Sequence, residues 1–532
     1  MALPKHSITQ PADLASSDIP RSLSRRHLLS GVAAMAASAA LTGCGASLTR
    51  SISAAAATAT LASPPQIPSR PMPKTVTSTP QPVPSGALTP ATLAIASNVV
   101  ATLAPNFLGF AYEKQSLTTP LFSASNADLV GLFQRLGPCV LQVGGASVDQ
   151  CVWTANGAGL TPGQIAPADV DALAAFLRVT GWSCIYGVNL GGAATGATSP
   201  ALAAAEVAYV AQQLGDALLD VQLGNACETY GSSFFAGNWS VEIFESLWQQ
   251  FRAAIVAAAP SVSFAGPAAA SNVYGWTLPF GEYVTRSEIN LLTQEYTTGA
   301  AADASVDGLV APDPALATEL LELHYGAQSI DVPFRLDGCA AYEDGGVAGV
   351  SDAYASALWA IDTLFQSALG GASGVHFKAG GQQPCTPIAD NHGAVIGPTP
   401  IFYGLLLSSL AGDGTMLATQ LSAASLNVTA YAVQSAAGGM SVVIVNKDAT
   451  QNLDLSVTLP QQMTAASLQQ MAQLSAGASA PSLSALDGVT LQSASVLANG
   501  IFAPAPPYPL TLAGTQLSCY VPALSAVLIQ LS

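Results

Sequence analysis

Residues 219–230 read LDVQLGNACETY, and this stretch decides the predicted fold. A short apolar strand (LDVQL) ends at Gly224 and Asn225, where a turn begins. The segments 138–145 (PCVLQVGG) and 180–190 (TGWSCIYGVNL) have the same build. Buried strands that each end in Gly or Asn and lead into a helical pattern are typical of a parallel barrel. The chemistry of such a barrel lies at the carboxyl ends of its strands.

Strand-like and helix-like patterns alternate through the middle of the chain. The segments are 167–179, 181–190, 200–215, 219–225, 241–258, 262–265, 290–297, 314–328, 332–337, 351–369 and 373–379. This alternation predicts an α/β fold, a (β/α)8 TIM barrel, which we place at residues 104–411. After residues 402–406 short strands separated by turns follow, and they predict a C-terminal β-sandwich over 412–532.

The N-terminal region carries export signals and a spacer. Residues 24–29 (SRRHLL), followed by an Ala-rich apolar run, resemble a twin-arginine signal, and residues 41–44 (LTGC) resemble a lipoprotein cleavage box. We expect residues 1–44 to direct export and Cys44 to carry the lipid, which makes the anchor the only contact with the cell-envelope membrane. An ordinary cleaved signal with a coincidental cysteine is the alternative. Residues 45–86, rich in Ala, Ser, Thr and Pro, predict an extended tether.

Charge excludes one class of partner. The chain has 15 basic and 32 acidic residues, a net charge of −17. Such a surface repels phosphate backbones, so we expect no nucleic-acid partner. Polyanionic glycans would be repelled as well unless the site itself were locally positive.

Five motifs, in order along the chain, are similar to one family of glycosidases. They are residues 106–114 (NFLGFAYEK, against F-x-G-x-S-Y-E-K), 140–149 (VLQVGGASVD, against V-L-R-I-G-G-N-S-x-D), 224–230 (GNACETY, against G-N-E-P-D-L-Y), 334–340 (FRLDGCA, against F-R-L-D-E-x-N) and 349–359 (GVSDAYASALW, against G-V-S-D-x-F-A-S-A-L-W). Residues 87–532 thus resemble the β-glucuronidase/heparanase-like proteins of glycoside hydrolase family 79. The resemblance implies a barrel packed on a C-terminal β-sandwich that takes one strand from before the barrel, here residues 87–103.

The resemblance implies that both catalytic glutamates are replaced. Ala226 stands at the position of the acid/base and Gly338 at the position of the nucleophile. A retaining glycosidase needs two carboxyl groups about 5–5.5 Å apart. Neither a methyl group nor a hydrogen atom can attack an anomeric carbon or donate a proton, so no intact catalytic pair is expected.

Other polar positions of the expected site have changed too. Gln142 and Ala146 replace an Arg and an Asn of the family pattern, and Glu295 and Lys378 each replace a His. The resemblance implies that Glu113, Asn225 and Tyr296 keep a role in sugar binding, with Lys378 as a new member of the site.

Two carboxylates are candidates for relocated catalytic groups. Glu228 lies two residues beyond the acid/base position, and Glu295 lies near the barrel mouth. An inverting mechanism tolerates a carboxyl separation of about 6.5–9.5 Å, so a rebuilt pair is one alternative. A structural acid in a loop is the other interpretation of Glu228.

Cysteine chemistry leaves two further alternatives. Cys227 and Cys339 directly follow the two lost catalytic positions, so they could be bridged, or they could be small buried residues that fill an emptied pocket. No His, Cys or carboxylate cluster has the spacing of metal ligands, so no metal and no cofactor is predicted.

Three functions stay open at this point. The leading hypothesis is an exported, lipid-anchored and catalytically degenerate glycosidase-like protein that binds a glycan. An active glycoside hydrolase with relocated carboxylates and a structural or partner-binding envelope protein are the alternatives. An open polar pocket favours binding, and a closed pocket favours the structural role. The oligomeric state is not predicted.

Overall fold

A computed structural model describes residues 79–237, 239–423 and 425–532. The predicted export signal, Cys44 and most of the predicted tether lie outside the described residues. In the part of the chain that the structure describes, no helix has the length and apolar character needed to cross a membrane.

Eight parallel strands close into a barrel. In chain order they are Leu108–Glu113, Val140–Gly144, Ser183–Val188, Leu218–Leu223, Phe264–Ala269, Leu291–Thr297, Phe334–Ala340 and Val375–Ala379. We number them as the first to eighth barrel strands; the eighth pairs with the first and so closes the barrel. The helices are Ala127–Leu136, Pro167–Thr180, Pro200–Leu214, Tyr230–Ser233, Val241–Ala258, Thr277–Tyr283, Val306–Val310, Pro314–Ile330, Tyr354–Leu369 and Pro400–Leu410.

Local sequence signals start two of the long helices. The side chain of Ser199 accepts a hydrogen bond from the backbone N–H of Leu202, and that of Asp313 accepts one from Leu316. Each cap is followed by a proline at the first helical position, where the missing N–H costs nothing and φ is already helical. These caps fix where the chain turns back along the outside of the barrel.

Side chains of the barrel strands alternate between an apolar outer face and an inner face that carries both apolar and polar residues. In the fourth strand, Val221 and Leu223 pack in the main core, whereas Gln222 accepts a hydrogen bond from the Thr293 hydroxyl at 3.1 Å. Thr293 lies two strands away, on the sixth strand, so this bond crosses the barrel interior. Because side chains alternate with a period of two, every second residue of a strand points toward the barrel axis.

The N-terminal and C-terminal strands form a second, eleven-stranded sheet. Its strands are Leu88–Leu103, Gly414–Ser422, Val428–Gln434, Met440–Asn446, Asn452–Thr458, Ala466–Gln473, Val489–Leu491, Tyr508–Leu510, Leu512–Ala513, Gln516–Val521 and Ser525–Leu531. Residues from distant strands, such as Leu468 and Leu517, share one apolar core, so the sheet curls around itself. The predicted (β/α)8 barrel with a C-terminal β domain is confirmed, although a single curled sheet forms the sandwich.

The strand Leu88–Leu103 lies inside this sheet. It pairs antiparallel with Gly414–Ser422 and parallel with Asn452–Thr458. Just before it, Gln81 exchanges two hydrogen bonds with the backbone of Tyr520. The start of the described chain is therefore fixed to the C-terminal sheet.

A buried ion pair joins the barrel to the sheet. Asp362, on the helix Tyr354–Leu369, pairs with Lys447 and accepts hydrogen bonds from the hydroxyls of Thr429 and Tyr431. Asp362 and Lys447 are both largely buried, so the charges compensate each other across the junction.

Two pairs of short strands were not predicted. They are Ile388–Asn391 with Ala394–Pro398, and Val152–Trp153 with Gln164–Ile165. Each strand has five residues or fewer, too few to show a clear hydrophobic period.

Candidate functional site

A small cavity of about 120 Å³ opens at the carboxyl ends of the barrel strands. Its lining residues are Ala111, Tyr112, Glu113, Gln142, Gly145, Ala146, Asn225, Ala226, Glu295, Asp337, Gly338, Lys378 and Ala379. They come from the first, second, fourth, sixth, seventh and eighth strands and the turns that follow them. The structure thus brings Ala226 and Gly338 to one cavity, together with Glu113, Asn225, Glu295 and Lys378.

Both replaced positions have left-handed backbone conformations. Ala226 has a φ of 47°, and its N–H donates to the carbonyl of Ala268 at 2.8 Å. Gly338 has a φ of 61°, and it interrupts the regular pairing of the seventh strand. A β-carbon at Gly338 would lie 3.4 Å from the side chain of Glu295. Glu295 therefore faces the side of Gly338 from which a longer side chain would project.

Glu295 is the central carboxyl of the cavity. Its Oε1 accepts a hydrogen bond of 2.7 Å from the Asn225 side-chain amide. The residue keeps some solvent exposure because it borders the cavity, but protein atoms surround the carboxyl. Burial raises the pKa of Glu295 to about 7; the Asn225 hydrogen bond lowers it, the charge of Asp337 adds to the rise, and Lys378 opposes it.

We expect the Glu295→Gln variant to change the pH dependence of stability. The pKa of Glu295 lies above its ordinary value of 4.5, so the folded state retains a proton that the unfolded state releases between pH 4.5 and about 7. Its contribution to the unfolding free energy falls as pH rises through this window, by roughly 3 kcal/mol. Glu295→Gln should match the wild type near pH 4.5 and be more stable at pH 8.

Urea unfolding of both proteins at the two pH values measures this difference. Burial also raises the pKa of Asp220 and Glu319 to about 7, but both groups are present in both proteins and cancel in the comparison. An equal difference in stability at pH 4.5 and pH 8 would contradict the raised pKa of Glu295.

Two side chains of the cavity lining have polar atoms without a hydrogen-bond partner among the described residues. They are the amide of Gln142 and the Oδ2 of Asp337. Both residues are about 99% buried. Unpaired polar groups in such positions cost about 1–3 kcal/mol each, so they mark a place where a polar ligand gains hydrogen bonds.

The carboxylates of Asp337 and Glu113 each have a protein partner that holds them in place. The Oδ1 of Asp337 lies 3.3 Å from the Nδ1 of His376, whose pKa is lowered by burial and by Arg335, so the ring is neutral. Glu113 accepts a 2.7 Å hydrogen bond from the backbone N–H of Ser147. Both carboxylates are therefore held in one orientation at the cavity wall.

Tyr296 does not face the cavity. Its hydroxyl donates to Asp313, the residue that caps the helix Pro314–Ile330 on the outside of the barrel. The expectation that Tyr296 binds sugar is therefore corrected. The reason is strand alternation: Glu295 points inward, so its neighbour points outward.

Glu228 has a structural role in a loop. Its Oε1 accepts hydrogen bonds from the backbone N–H groups of Ala270 and Ser271, at 2.7 and 2.8 Å, and from the Ser271 hydroxyl. These bonds hold the turn after the fifth strand, and Glu228 does not line the cavity. The expected Glu228–Glu295 pair thus does not share a site.

The Cys227–Cys339 bridge is absent, and all seven cysteines in the described residues are free and buried. The Cys227 thiol contacts the carbonyls of Leu223 and Pro267, at 3.8 and 4.0 Å. Cys339 lies on the face of the seventh strand opposite the cavity lining, where Asp313 and Glu319 affect its pKa. Cys227 thus packs at the ends of the fourth and fifth strands, whereas Cys339 lies on the outer face of the seventh strand, so the two thiols are not neighbours.

Reductant is accordingly expected to leave the melting temperature unchanged. Burial raises the pKa of Cys139 to about 12 and that of Cys385 to about 11, so these thiols stay protonated and unreactive in the folded protein. Alkylation of the protein unfolded without reductant should label every cysteine from Cys139 to Cys519, as seen by peptide mass spectrometry. An unlabelled pair that becomes labelled only after reduction would contradict the assignment.

Sequence reasoning missed Asp337 and Tyr112 as lining residues, and treated Gln142 only as a replacement. Asp337 directly precedes Gly338, and Tyr112 precedes Glu113. The alternation rule could have found Gln142, since it lies two residues before Gly144 at the end of the second strand. Over residues 79–237, 239–423 and 425–532, no group of three or more His, Cys, Asp or Glu residues is arranged to hold a metal ion.

Comparisons of the chain with known proteins give no match to a family model and none to a curated protein. Comparison of the structure does find similar folds. A 4-O-α-L-rhamnosyl-β-D-glucuronidase from Fusarium oxysporum 12S is 14% identical with a TM-score of 0.68, over 82% of this chain and 99% of that chain.

Other glycoside hydrolases have the same architecture. A family 51 arabinofuranosidase from Xanthomonas axonopodis pv. citri is 14% identical with a TM-score of 0.62, over 84% of this chain and 100% of that chain. A family 44 xyloglucanase from Paenibacillus polymyxa is 10% identical with a TM-score of 0.59, over 84% of this chain and 99% of that chain. At these identities the likeness is one of fold: the chain has the (β/α)8 barrel and C-terminal β domain of glycoside hydrolases.

Proposed function

We propose that the chain is a glycan-binding protein that uses a glycosidase-like barrel without hydrolysing its ligand. The observation that carries this proposal is the lining of the cavity. Polar atoms of the buried side chains Gln142 and Asp337 lack protein partners among the described residues, whereas the two positions aligned with catalytic glutamates are Ala226 and Gly338. The cavity offers hydrogen bonds to a ligand but no acid/base group and nucleophile at those positions.

The type of ligand follows from these groups. A primary amide and a carboxylate together donate and accept hydrogen bonds, as a dense set of hydroxyl groups requires. Lys378 is the one basic residue in the described lining, and Glu113, Glu295 and Asp337 are acidic. A hydroxylated ligand without several negative charges suits this balance.

An open cavity supports binding over a purely structural role. Cys227 and Cys339, which would have filled an emptied pocket, are absent from its lining. A protein with only a structural role would gain about 0.8 kcal/mol for each buried methylene group that replaced these polar groups. The unpaired polar groups therefore support a retained ligand.

Binding is tested on a glycan array, followed by calorimetry with each glycan that binds. Gln142→Met keeps the volume of the side chain and removes both hydrogen-bonding atoms, and it should weaken binding about 10-fold. Gln212→Met, an exposed glutamine on the helix Pro200–Leu214, is the matched control and should bind as the wild type does. Absence of binding across a broad array would overturn the proposal.

An active hydrolase with a relocated carboxylate is the second candidate. The observation in its favour is that Glu295 lies against Gly338 and is hydrogen-bonded by Asn225. Glu295→Gln separates the two functions. Loss of glycoside cleavage in this variant would favour the hydrolase, whereas retained binding without cleavage in either protein supports the binding function.

We also propose that the protein is exported by the twin-arginine pathway and anchored through Cys44. The support is the sequence of residues 24–44. Cys44→Ser should move the protein from the membrane fraction to the soluble envelope fraction, and Arg25→Lys/Arg26→Lys should retain it in the cytoplasm. Unchanged fractionation of either variant would contradict the corresponding signal.

A further inference from the structure

We propose that a polar groove beside the cavity binds the next sugar units of an uncharged oligosaccharide. The inference rests on the proposed glycan-binding function and extends it to a second site and a class of ligand. The groove has a volume of about 440 Å³ and lies between the chain segments that follow the first and eighth barrel strands. It shares Glu113 and Ala379 with the cavity.

The groove and the cavity adjoin each other because the two strands are neighbours. Ala379, at the end of the eighth strand, pairs in register with Tyr112 of the first strand. The chain beyond each strand then turns outward from the same edge of the barrel mouth. A ligand that leaves the cavity past Glu113 therefore enters the groove directly.

The size of the cavity requires such an extension. Ligand pockets typically have volumes of about 300–1,000 Å³, and the cavity alone has about 120 Å³. The cavity can enclose only part of a sugar chain. The adjoining groove supplies the remaining volume on one side of the barrel mouth.

Amide side chains line the groove. Gln115, Gln382, Gln383 and Asn391 are exposed, and their side chains make no hydrogen bond to the other described residues. Each amide offers two donors and an acceptor, which match the hydroxyl groups of a sugar. These side chains are available to a ligand without breaking an existing contact.

The loop that carries three of these amides is fixed in place. The N–H of Gly380 donates to the hydroxyl of Thr386 at 2.9 Å, and the N–H of Gly381 donates to the buried carboxylate of Asp390 at 2.6 Å. Asp390 returns a backbone hydrogen bond to the carbonyl of Gly381. A loop that is ordered before binding loses little entropy when the ligand arrives, which strengthens binding.

The negative charge of the groove lining favours uncharged sugar units over acidic ones. Glu113 and Asp390 are the acidic residues of the groove lining, and His392 is the one side chain there that becomes positive on protonation. Lys114 lies next in sequence but is buried and paired with Glu206. A chain of uronate or sulfated units would meet negative charge along the groove, in a protein with a net charge of −17.

The test is calorimetric titration of the full-length protein with matched sugars of different length. The neutral probes are xylose with xylotetraose, glucose with cellotetraose, and arabinose with arabinotetraose, and tetragalacturonate is the charged probe. One neutral tetrasaccharide should bind at least about 10-fold more tightly than its monosaccharide, and tetragalacturonate should bind more weakly than that tetrasaccharide.

Gln383→Ala/Asn391→Ala should reduce the affinity for the tetrasaccharide about 10-fold and leave that for the monosaccharide unchanged. The control Gln212→Ala should change neither. Equal affinities for a monosaccharide and its tetrasaccharide would overturn the proposal that the groove binds sugar, and would leave the proposed function of the cavity intact. Tighter binding of tetragalacturonate than of every neutral tetrasaccharide would overturn the proposal that the ligand is uncharged. No binding of any probe would count against the proposed function itself.

Discussion

Wild-type protein is expected to leave aryl β-glucuronides and aryl α-L-arabinofuranosides uncleaved. Ala226 and Gly338 line the cavity where the resemblance implies two glutamates. A positioned acid/base alone contributes about 10²- to 10⁴-fold to a rate, and a missing nucleophile removes the covalent step as well. Release of the aryl group, followed by absorbance, should equal that of the buffer.

Restoring the glutamates tests whether the rest of the barrel still supports catalysis. Ala226→Glu should be tolerated by the backbone, because Ala226 already has a side chain at a φ of 47°. Gly338→Glu places a side chain at a φ of 61°, at a cost of about 1–2 kcal/mol, and directs it toward Glu295. We therefore expect the double variant alone to gain little activity.

Adding Glu295→His to the double variant should raise cleavage at least about 100-fold above the double variant. The change removes the carboxyl that faces Gly338 and restores the residue type of the resembling family. Circular dichroism of each variant controls for folding. Cleavage by the wild type that is lost in Glu295→Gln would contradict the degenerate site and make Glu295 the nucleophile.

The Lys114→Met variant is expected to lose about 3–5 kcal/mol of unfolding free energy. Lys114 is fully buried, its Nζ lies 2.5 Å from Glu206, and the ammonium also lies 4.7 Å from the ring centre of Tyr186. Removing the ammonium leaves the Glu206 carboxylate, which also accepts a hydrogen bond from Tyr186, as an uncompensated buried charge.

Urea unfolding at constant m-value measures the loss. The matched control is Arg286→Met, which breaks the exposed ion pair with Asp331 and should cost less than about 1 kcal/mol. The double variant Lys114→Met/Glu206→Leu should recover much of the stability, because it leaves no unpaired charge. A loss in Lys114→Met as small as that in the control would show that the buried pair is not stabilising relative to methionine.

The barrel could be predicted because its signals are local. A turn that begins at Gly224 and caps such as Ser199 with Pro200 are set by a few adjacent residues. Their spacing then determines the order of strands and helices. That a strand before the barrel joins the C-terminal sheet followed only from the resemblance, and its pairing with Asn452–Thr458 was not predicted, since no local pattern specifies a partner that far along the chain.

The site could be predicted only in part. Motif matching located Ala226 and Gly338, but Tyr296 was expected to face the cavity, and Cys339 was expected to bridge Cys227 or to fill the pocket. Both lie next to an inward residue and therefore point outward. A motif identifies positions in sequence, whereas the direction of a side chain depends on strand register and on the irregular pairing at Gly338.

The position of the N-terminal strand sets the timing of folding. Thr89, on this strand, bonds to Gln451, 362 positions later, and the sheet also needs the last strand, Ser525–Leu531. During synthesis, the strand Leu88–Leu103 has no partner strand until the whole barrel has been made. The C-terminal sheet can close only after Ser525–Leu531 has been synthesised, so a nascent chain that still lacks this strand cannot complete its fold. Such timing suits the proposed export route, which accepts a folded protein, and under that proposal residues 88–103 need chaperone protection before transport.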